Sequence, residues 1–594
     1  MSRLADIFTA NSPGETWYRR GSLAIMLGFL LLIAYLFDDA GISWDEKVQL
    51  IWGDAAWQFY SEVLSGQRHL FDGSDLKGSV VHPIFFDLVN AGARRILPFS
   101  DYLTGHLLSA LFGWSGLVAV WLIARRFAGE RGGFWALVLL LCLPRYFGHL
   151  WFNPKDIPFA ATHAWALWAL LRCVGEFPRP RWSTLALFGV LTGLALGVRL
   201  AALLLFGYYG LAATAWAFKG ALARNADAPD GETAPRERVV RAGQNWLQLA
   251  LRGSVALGAA WLVVLPFWPG IWLDMESRGG SSATDALQRA QAFDWDYPVR
   301  FAGEVVNASE LPRTYLPHWI AITVPVFTLL LLLAGLCLLV RWLREHGKLP
   351  ERWAKHHFEL GVVILGAVFP VCYVVATKPV LYDGMRHFIF VLPPMAVLAG
   401  LSLVAGADWL EKRQRRLAAL LPALAGAFAI WMSLHYAQMH PLAYISFNRL
   451  VGGTGGAAPS YETEYWGLSF REGVEALDEI IDYTYPEDPP EIVVYVPLTV
   501  PEWLFRPFFP EHFTMTREPV EAHFAMAFDR FGLMRPIAHA PLIAEVERDG
   551  ATLLVVRLLS TPPGFREGLR QAIQKPLPAD APEMLLRLKA GSSS

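Results

Sequence analysis

Residues 21–48 read GSLAIMLGFLLLIAYLFDDAGISWDEKV, an uninterrupted apolar run followed closely by acidic side chains. The apolar run from Gly21 to Phe37 is long enough to cross a bilayer as a helix. It lacks the small-residue cleavage pattern of a secretory signal. We therefore predict a retained first membrane span that leads into a polar loop.

The composition of the whole chain is that of a membrane protein. Hydrophobic residues occupy 54% of the 594 positions and charged residues only 18%, with a mean hydropathy of +0.33. A soluble multidomain protein carries more charge. The formal net charge of −2 gives no basic surface for a nucleic-acid backbone, so we expect no nucleic-acid partner. The cysteines lie in apolar runs without metal-ligand spacing, which predicts small core residues at Cys142, Cys173, Cys337 and Cys372.

Apolar windows recur along the chain and predict about eleven membrane helices. They lie near 21–37, 102–124, 132–148, 158–174, 183–199, 200–218, 248–266, 318–340, 358–376, 388–406 and 417–435. The fifth and sixth windows are nearly continuous, so the turn between them is inferred from the charge pattern. The predicted fold class is mainly α, a polytopic membrane domain at 21–435.

Lysine and arginine cluster at every second connection, which predicts the orientation. The basic clusters lie at 19–20, 125–131, 179–181, 219–241, 341–355 and 412–416. Residues 1–20 are then a cytoplasmic N-terminus of a protein in the cytoplasmic (inner) membrane. The outward connections are 38–101, 149–157, 267–317 and 377–387, and everything after Tyr436 is extracytoplasmic.

Segment 436–594 has strand and helix patterns in place of spans. EIVVYVPL (491–498) and TLLVVRLL (552–559) are typical of strands, and REGVEALDEIIDYTY (471–485) has helical spacing. The Asp549-Gly550 pair predicts a β-hairpin. We expect an extracytoplasmic α/β domain.

A glycine-rich stretch lies near the beginning of that segment. Its glycines predict a flexible turn, and it carries neither a P-loop nor a dinucleotide fingerprint, which excludes a nucleotide site: Gly452, Gly453, Gly455 and Gly456. The following acidic and aromatic side chains either bind a sugar or an acceptor, or pack the tail onto the membrane domain: Tyr461, Glu462, Glu464, Tyr465 and Trp466.

Acidic residues follow the first span directly. The loop FDDAGISWDEKVQ (37–49) places Asp45 and Glu46 ahead of the amphipathic segment EKVQLIWGDAAWQFYSEVL (46–64). A solvated loop in which Asp45 caps this segment is one interpretation. A carboxylate that acts on a substrate is the other, and the cluster alone leaves both open.

The other outward loops add basic and imidazole side chains. His82 lies in VVHPIFFDLVNAGARR (80–95), where His-Pro also fits a simple turn. In GHLWFNPKDIPFA (148–160), Lys155 and Asp156 lie between two prolines, on backbone that cannot continue a helix. Charged non-helical backbone at a membrane face usually lines a cavity.

Two later stretches complete this charge pattern. Arg199 lies in LALGVRLAALL (194–204), where an arginine at a span centre costs about 2.5–3.5 kcal/mol. It therefore either snorkels to the surface or holds an anionic headgroup. The loop that ends in LYDGMRHFIFVLPP (381–394) supplies Lys378, Arg386 and His387.

Carboxylates and cations on one membrane face suit transfer from a lipid phosphate. One carboxylate can take the proton of an acceptor hydroxyl while the cations neutralise the departing phosphate. Lipid phosphate leaves without a general acid. A transporter or flippase of a lipid-linked precursor would instead need charges within the spans and gates on both faces. A non-catalytic membrane scaffold is the third alternative.

The order of these motifs resembles the C-type integral-membrane glycosyltransferases, especially the protein O-mannosyltransferase and lipid A aminoarabinose transferase superfamily. The family's early Asp-Glu pair corresponds to Asp45-Glu46. Its His-Pro-Pro corresponds to His82-Pro83, although Ile84 stands in place of the second proline. Its acidic residue of the second outward loop is matched by Asp156, and its late Arg-aromatic-Pro-Pro stretch by RHFIFVLPP (386–394).

The resemblance implies an inverting transfer of a sugar from a polyprenyl-phosphate donor to an extracytoplasmic glycan, lipid or protein. It implies Asp45 as the base, with Glu46 beside it, and we expect Glu46 and Asp156 to orient the acceptor or a metal. Carboxylate oxygens are suitable ligands for Mg²⁺ or Mn²⁺, so Asp45, Glu46 and Asp156 are the candidate ligands of a divalent metal if they converge. The phosphate-binding or substrate-binding residues are then His82, Lys155, Arg199, Lys378, Arg386 and His387.

Overall fold

The computed structural model describes residues 13–66, 83–222, 235–269, 295, 297–346, 355–417 and 419–574. Most of the described chain is helical, with a small sheet near the C-terminus. The helices of the membrane part are, in chain order, α1 (Pro13–Leu36), α2 (Glu46–Ser65), α3 (Phe85–Arg94), α4 (Asp101–Leu141), α5 (Pro144–His149), α6 (Asp156–Gly175), α7 (Trp182–Leu196), α8 (Leu204–Leu222), α9 (Pro235–Val264), α10 (Tyr315–Thr323), α11 (Val326–His346), α12 (His357–Thr377), α13 (Leu392–Arg413) and α14 (Leu420–Met439).

Nine helices of the described chain are long and apolar enough to cross a membrane, which makes the protein a multi-pass membrane protein. All eleven predicted windows overlap described helices. The windows at 102–124 and 132–148 share α4, which is broken where Ala128 and Gly129 leave the helical region. The window at 183–199 corresponds to the shorter α7. The mainly α fold class is confirmed.

The centre of the membrane domain is built around α4. This helix packs against α1, α6 and α13, while α7 packs against α6 and α9. The most apolar stretches of α6 and α13 are 83% and 78% buried, whereas those of α11 and α14 are only 11% and 12% buried. Apolar surface that the protein leaves uncovered in α11 and α14 fits contact with lipid.

The predicted window at 318–340 is interrupted near its beginning. Helix α10 ends at Thr323, Val324 is extended, and α11 begins after Pro325. Proline lacks an amide hydrogen and fixes its own φ, so it favours a new helix start at this point. The break lets the two helices follow different directions.

The described tail forms the predicted α/β domain. Its helices are α15 (Gly453–Ala457), α16 (Ser469–Thr484) and α17 (Phe565–Gln574). A small hairpin before α10 contains β1 (Pro298–Phe301) and β2 (Glu304–Asn307). The strands of the tail sheet are β3 (Ile492–Tyr495), β4 (Phe513–Thr516), β5 (Phe524–Phe528), β6 (Leu542–Arg548) and β7 (Ala551–Leu558).

The tail sheet has the strand order β4-β3-β5-β7-β6. Strand β3 pairs in parallel with β4 and β5, and β7 pairs antiparallel with β5 and β6. The predicted hairpin joins β6 to β7, where Asp549 and Gly550 have φ angles of 50° and 80°. Both residues of a type I′ turn need positive φ, which explains the Asp-Gly pair.

The glycine-rich stretch is a docking element in the structure. Helix α15 begins after Gly452, and the Gly455 amide donates to the Asp549 carbonyl over 2.9 Å. A Cβ atom on Gly455 would lie 2.7 Å from that carbonyl oxygen. The glycines therefore allow close approach to the β6–β7 turn, where the sequence predicted only a flexible turn.

Candidate active site

Asp45 immediately precedes α2 and is the most accessible of the predicted acidic residues. Its side chain is 33% exposed, and Oδ2 accepts a 3.0 Å hydrogen bond from Nη1 of Arg386. The Asp45 side chain does not cap α2. The carboxylate therefore keeps an oxygen edge that a substrate can reach.

Glu46 is buried and holds the beginning of α2 in place. Its Oε2 accepts from the amide of Ser43, and its Oε1 lies 2.8 Å from Nε2 of His106 on α4. Its side chain is only 5% exposed. These contacts orient the first turn of α2 and, with it, the adjacent Asp45.

Asp156 begins α6 and is buried between two donors. The Asn153 side-chain amide donates to Oδ2 over 2.9 Å, and Arg199 donates to Oδ1. Asn153 Oδ1 in turn accepts from the amides of Lys155 and Asp156 over 3.1 and 2.7 Å. The Asn-Pro-Lys-Asp turn thus fixes both charged residues at the end of a loop.

Arg199 lies at a helix break and not in the middle of a span. Its backbone is extended, with φ −147° and ψ 139°, between α7 and a short 3₁₀ turn at Leu200–Leu203. The Gly197 carbonyl accepts from the Phe85 amide over 2.7 Å, which ties this break to the start of α3. The break places the guanidinium against Asp156 and removes the need for a charge inside a continuous helix.

Lys155 lies among charged groups from several segments. Its ammonium stands 5.6 Å from the centre of the Trp52 ring. Burial and the nearby Arg199 lower its pKa to about 8, against the opposing effects of the carboxylates of Asp45, Asp87 and Asp156. Burial raises the pKa of Asp87 to about 7, and the charge of Lys155 limits that rise. The two groups therefore influence each other's protonation near neutral pH.

Arg386 connects Asp45 to a second buried carboxylate. Its Nε lies 3.2 Å from Oδ2 of Asp383, and its guanidinium stacks 4.5 Å from the Trp466 ring and 4.9 Å from the Tyr382 ring. Asp383 Oδ1 accepts a 2.7 Å hydrogen bond from Nη2 of Arg530 in the tail domain. Carboxylates and guanidinium groups thus alternate from the first loop to the tail.

The remaining predicted residues occupy different surroundings. The His387 ring packs edge-on against Tyr382 at 4.8 Å, and its charged neighbours include Arg386, Arg199, Asp156 and Lys155. Lys378 is exposed at the end of α12 and forms none of the described ion pairs. His82 lies outside the described residues.

A metal is not supported by the acidic residues that the sequence offered for it. Oδ2 of Asp45 faces Arg386. The Glu46 oxygens face Ser43 and His106, and the Asp156 oxygens face Arg199 and Asn153. Within the described part of the chain, no three His, Cys, Asp or Glu side chains are grouped closely enough to hold an ion. These residues do not fit a three-carboxylate metal centre.

The tail stretch 461–466 is mostly a packing element. Glu464 is fully buried and accepts from the amides of Trp466, Gly467 and Ser469 over 3.0, 2.7 and 3.2 Å. Trp466 donates from Nε1 to Nε2 of the buried His149 over 3.3 Å. These contacts favour the packing alternative for Glu464 and Trp466.

The sequence placed Asp383 in the last outward loop without giving it a role, and it did not single out Arg530. The signal for Asp383 is the Tyr-Asp-Gly-Met stretch beside Arg386, which indicates a turn. In the structure, Asp383 has a φ of 54° and the following Gly384 has a φ of 67°. Arg530 carried no comparable signal, because it follows a strand of the tail domain and meets Asp383 only after folding.

Comparisons with known proteins agree with the predicted resemblance. Residues 81–221 match the family described as Dolichyl-phosphate-mannose-protein mannosyltransferase. This match confirms the resemblance to that superfamily over the matched segment. No curated protein sequence matches the chain.

Solved structures of two similar proteins overlap most of the chain. ArnT from Cupriavidus metallidurans bound to undecaprenyl phosphate is 13% identical with a TM-score of 0.45, over 91% of this chain and 98% of that chain. The oligosaccharyltransferase AglB from Archaeoglobus fulgidus, in complex with an inhibitory peptide and a dolichol-phosphate, is 14% identical with a TM-score of 0.43. That alignment covers 82% of this chain and 62% of AglB.

Proposed function

We propose that the protein is a membrane glycosyltransferase that moves a sugar from a polyprenyl-phosphate donor to an acceptor on the extracytoplasmic face of the inner membrane. The observation that carries the proposal is the accessible Asp45 carboxylate, held by Arg386 beside the cations Lys155 and Arg199. The family match over 81–221 supports it, because the description of that family names a lipid-phosphate sugar donor.

In the proposed reaction, Asp45 accepts the proton of the acceptor hydroxyl. The hydroxyl oxygen forms a bond to the anomeric carbon on the side opposite the phosphate, and the carbon–oxygen bond to phosphate breaks with its electron pair leaving on the phosphate. The configuration at that carbon is therefore inverted. A positioned general base contributes about 10²–10⁴-fold to such a step.

The surrounding cations neutralise the charge that develops on the departing phosphate. Lys155, Arg199 and Arg386 lie around the carboxylates of Asp45 and Asp156, and His387 is close to the same groups. Fixed cations in a site sheltered from water stabilise such charge without reorganisation. In this mechanism Glu46 orients Asp45, and Asp156 orients Arg199. The sugar is a hexose or a pentose, and the acceptor is a glycan, a lipid or a protein.

The test is sugar transfer by purified protein in nanodiscs, with labelled polyprenyl-phosphate sugars and envelope extract. We expect Asp45→Asn to lower the transfer rate by at least about 10²-fold, because the amide cannot accept the proton. Asp54→Asn is the matched control, since Asp54 lies on α2, the helix that follows Asp45, is 48% exposed and also pairs with an arginine, Arg94. Transfer by Asp45→Asn at the wild-type rate contradicts the role of the base. Donor binding without turnover by the wild type favours a transporter or a scaffold.

A further inference from the structure

The tail domain contributes a buried cation to the charged cluster. Arg530 is 3% exposed in its side chain, and its Nη2 lies 2.7 Å from Oδ1 of the equally buried Asp383. The other oxygen of Asp383 faces Arg386, whose Nη1 binds Asp45 over 3.0 Å. Asp383 therefore stands between one guanidinium of the membrane domain and one of the tail.

We infer that Arg530 is a positioning residue of the catalytic centre, which acts through Asp383 and Arg386 to hold Asp45 in its reactive orientation. This inference rests on the proposed function. It also gives the tail domain a role in the transfer step itself, in addition to any role in acceptor choice.

The backbone at Asp383 supports this inference. Asp383 has a φ of 54°, a conformation that non-glycine residues rarely adopt and that persists only where the surroundings hold it. The next amide, of Gly384, donates to the Tyr315 hydroxyl over 3.1 Å. The strained turn directs the Asp383 carboxylate between the two arginines, and a buried carboxylate needs such partners.

Arg530 is itself held rigidly and contacts the Asp45 loop by a second route. Its Nη1 donates to the carbonyl of Tyr465, and its guanidinium lies 4.6 Å from the Phe531 ring and 5.2 Å from the Trp44 ring. Trp44 directly precedes Asp45, and its amide donates to the Trp466 carbonyl over 2.9 Å. Displacing Arg530 therefore disturbs Asp45 from both sides.

The positioning role of Arg530 predicts a pH dependence that a purely structural role does not. Burial raises the pKa of Asp383, and Arg530 opposes that rise more strongly than Arg386 does. Without Arg530, the Asp383 carboxyl takes a proton at higher pH and no longer holds Arg386. The titratable or charged groups around Asp383 are Arg530, Arg386, Asp45, Asp156, Glu462, Tyr315, Tyr382 and Tyr465.

The experiment is a double-mutant cycle on the full chain in nanodiscs, with Arg530→Gln, Asp383→Asn and the double variant. We expect Arg530→Gln to lower kcat by about 10²-fold with little change in the donor KM, because a misplaced reactive group costs about that much. The acidic limb of its pH–rate profile should move to higher pH, and Arg530→Lys should restore part of the rate. In the Asp383→Asn background, Arg530→Gln should add less than about threefold, since residues that act as a unit are not additive.

The control is Arg548→Gln, which removes another arginine–carboxylate pair of the tail, the 2.6 Å contact of Arg548 with Glu472. It should keep the wild-type pH profile. Full additivity in the cycle, or an unmoved acidic limb in Arg530→Gln, overturns the inference while transfer by the wild type keeps the proposed function intact. If the wild type transfers no sugar and Asp45→Asn changes nothing, the proposed function fails and the inference fails with it.

Discussion

Asp45, Glu46 and Asp156 carry the same functional group but differ in what surrounds their oxygens. Asp45 is 33% exposed and meets one guanidinium, whereas the side chains of Glu46 and Asp156 are 5% and 2% exposed and have several polar neighbours. A proton acceptor needs an oxygen that the substrate can approach. Burial and hydrogen bonding therefore favour Asp45 for the proposed catalytic role and the other two for supporting roles.

At the same scale, the Lys155 ammonium should make donor binding depend on pH. Its pKa of about 8 means that the side chain is charged below pH 8 and neutral above it, so attraction for the donor phosphate falls as pH rises. We expect the donor KM of the wild type to rise between about pH 7 and about pH 9. Lys155→Arg should show a flat KM over that range, because guanidinium stays charged.

The Asp87 carboxylate gives a second check on this prediction. Its negative charge raises the pKa of Lys155, so Asp87→Asn should move the increase in KM to lower pH. Steady-state transfer rates at varied donor concentration and pH give the donor KM of the wild type, Lys155→Arg and Asp87→Asn. A wild-type KM that is constant over this range would show that Lys155 does not bind the phosphate.

At the scale of elements, the site depends on helices that stop early. Helix α6 begins at Asp156, α7 ends before Arg199, and α10 and α11 are separated at Val324. Each interruption leaves backbone polar groups that need partners within the protein, such as the Gly197 carbonyl with the Phe85 amide. Charged side chains of the site lie at two of these interruptions, those at Asp156 and Arg199.

Hydropathy and charge predicted the helices well because each span is a local pattern. The windows, the tail hairpin and the tail helix were all visible in contiguous sequence. The kink inside α4, and the helix that joins the two spans around it, were not visible in this way. The positive φ of 62° at Gly129 accompanies a non-local contact, the hydrogen bond that the Glu130 amide donates to the Glu15 carboxylate. The pairing of Asp383 with Arg530 is also non-local, because the partners are 147 positions apart in the sequence.

Helix α7 should be sensitive to any added side chain on its contact face with α9. A Cβ atom on Gly189 would lie 2.3 Å from the Ala256 carbonyl oxygen, and one on Gly193 would lie 2.7 Å from that of Ala260. Small residues spaced four apart allow close helix packing in membranes. Gly189→Ala should cost about 1–3 kcal/mol. It should also lower transfer, because α7 leads into Arg199.

Gly258→Ala is the matched control for this helix contact. Gly258 lies on α9, and a Cβ atom there has no heavy atom within 4 Å. Thermal unfolding in detergent, followed by intrinsic fluorescence, should give a lower midpoint for Gly189→Ala and an unchanged one for Gly258→Ala. Equal midpoints would contradict close packing of α7 on α9.

At the scale of the whole molecule, the tail domain and the first loop form one structure. The Trp503 indole donates to the Trp44 carbonyl over 3.3 Å, and His440 lies 2.7 Å from Asp39. A Cβ atom on Gly41 would lie 2.2 Å from the Leu468 carbonyl oxygen. Because the tail contacts the loop that carries Asp45, the proposed active site and the tail must lie on the same side of the membrane.

That side should be the extracytoplasmic one, because the basic residues concentrate on the other. Lys412 and Arg413 lie in the last turn of α13, Arg415 and Arg416 lie between α13 and α14, and only α14 separates this cluster from the tail. In a background without native cysteines, Leu498→Cys on the tail and Gln414→Cys beside the basic cluster give two exposed probes. We expect a membrane-impermeant maleimide to label the Leu498→Cys variant in intact spheroplasts and the Gln414→Cys variant only after permeabilisation, as the positive-inside rule requires. The reverse pattern would place the carboxylate and cations of the site in the cytoplasm and would remove the basis for an extracytoplasmic acceptor. Labelling of both variants in intact spheroplasts would contradict α14 as a membrane span.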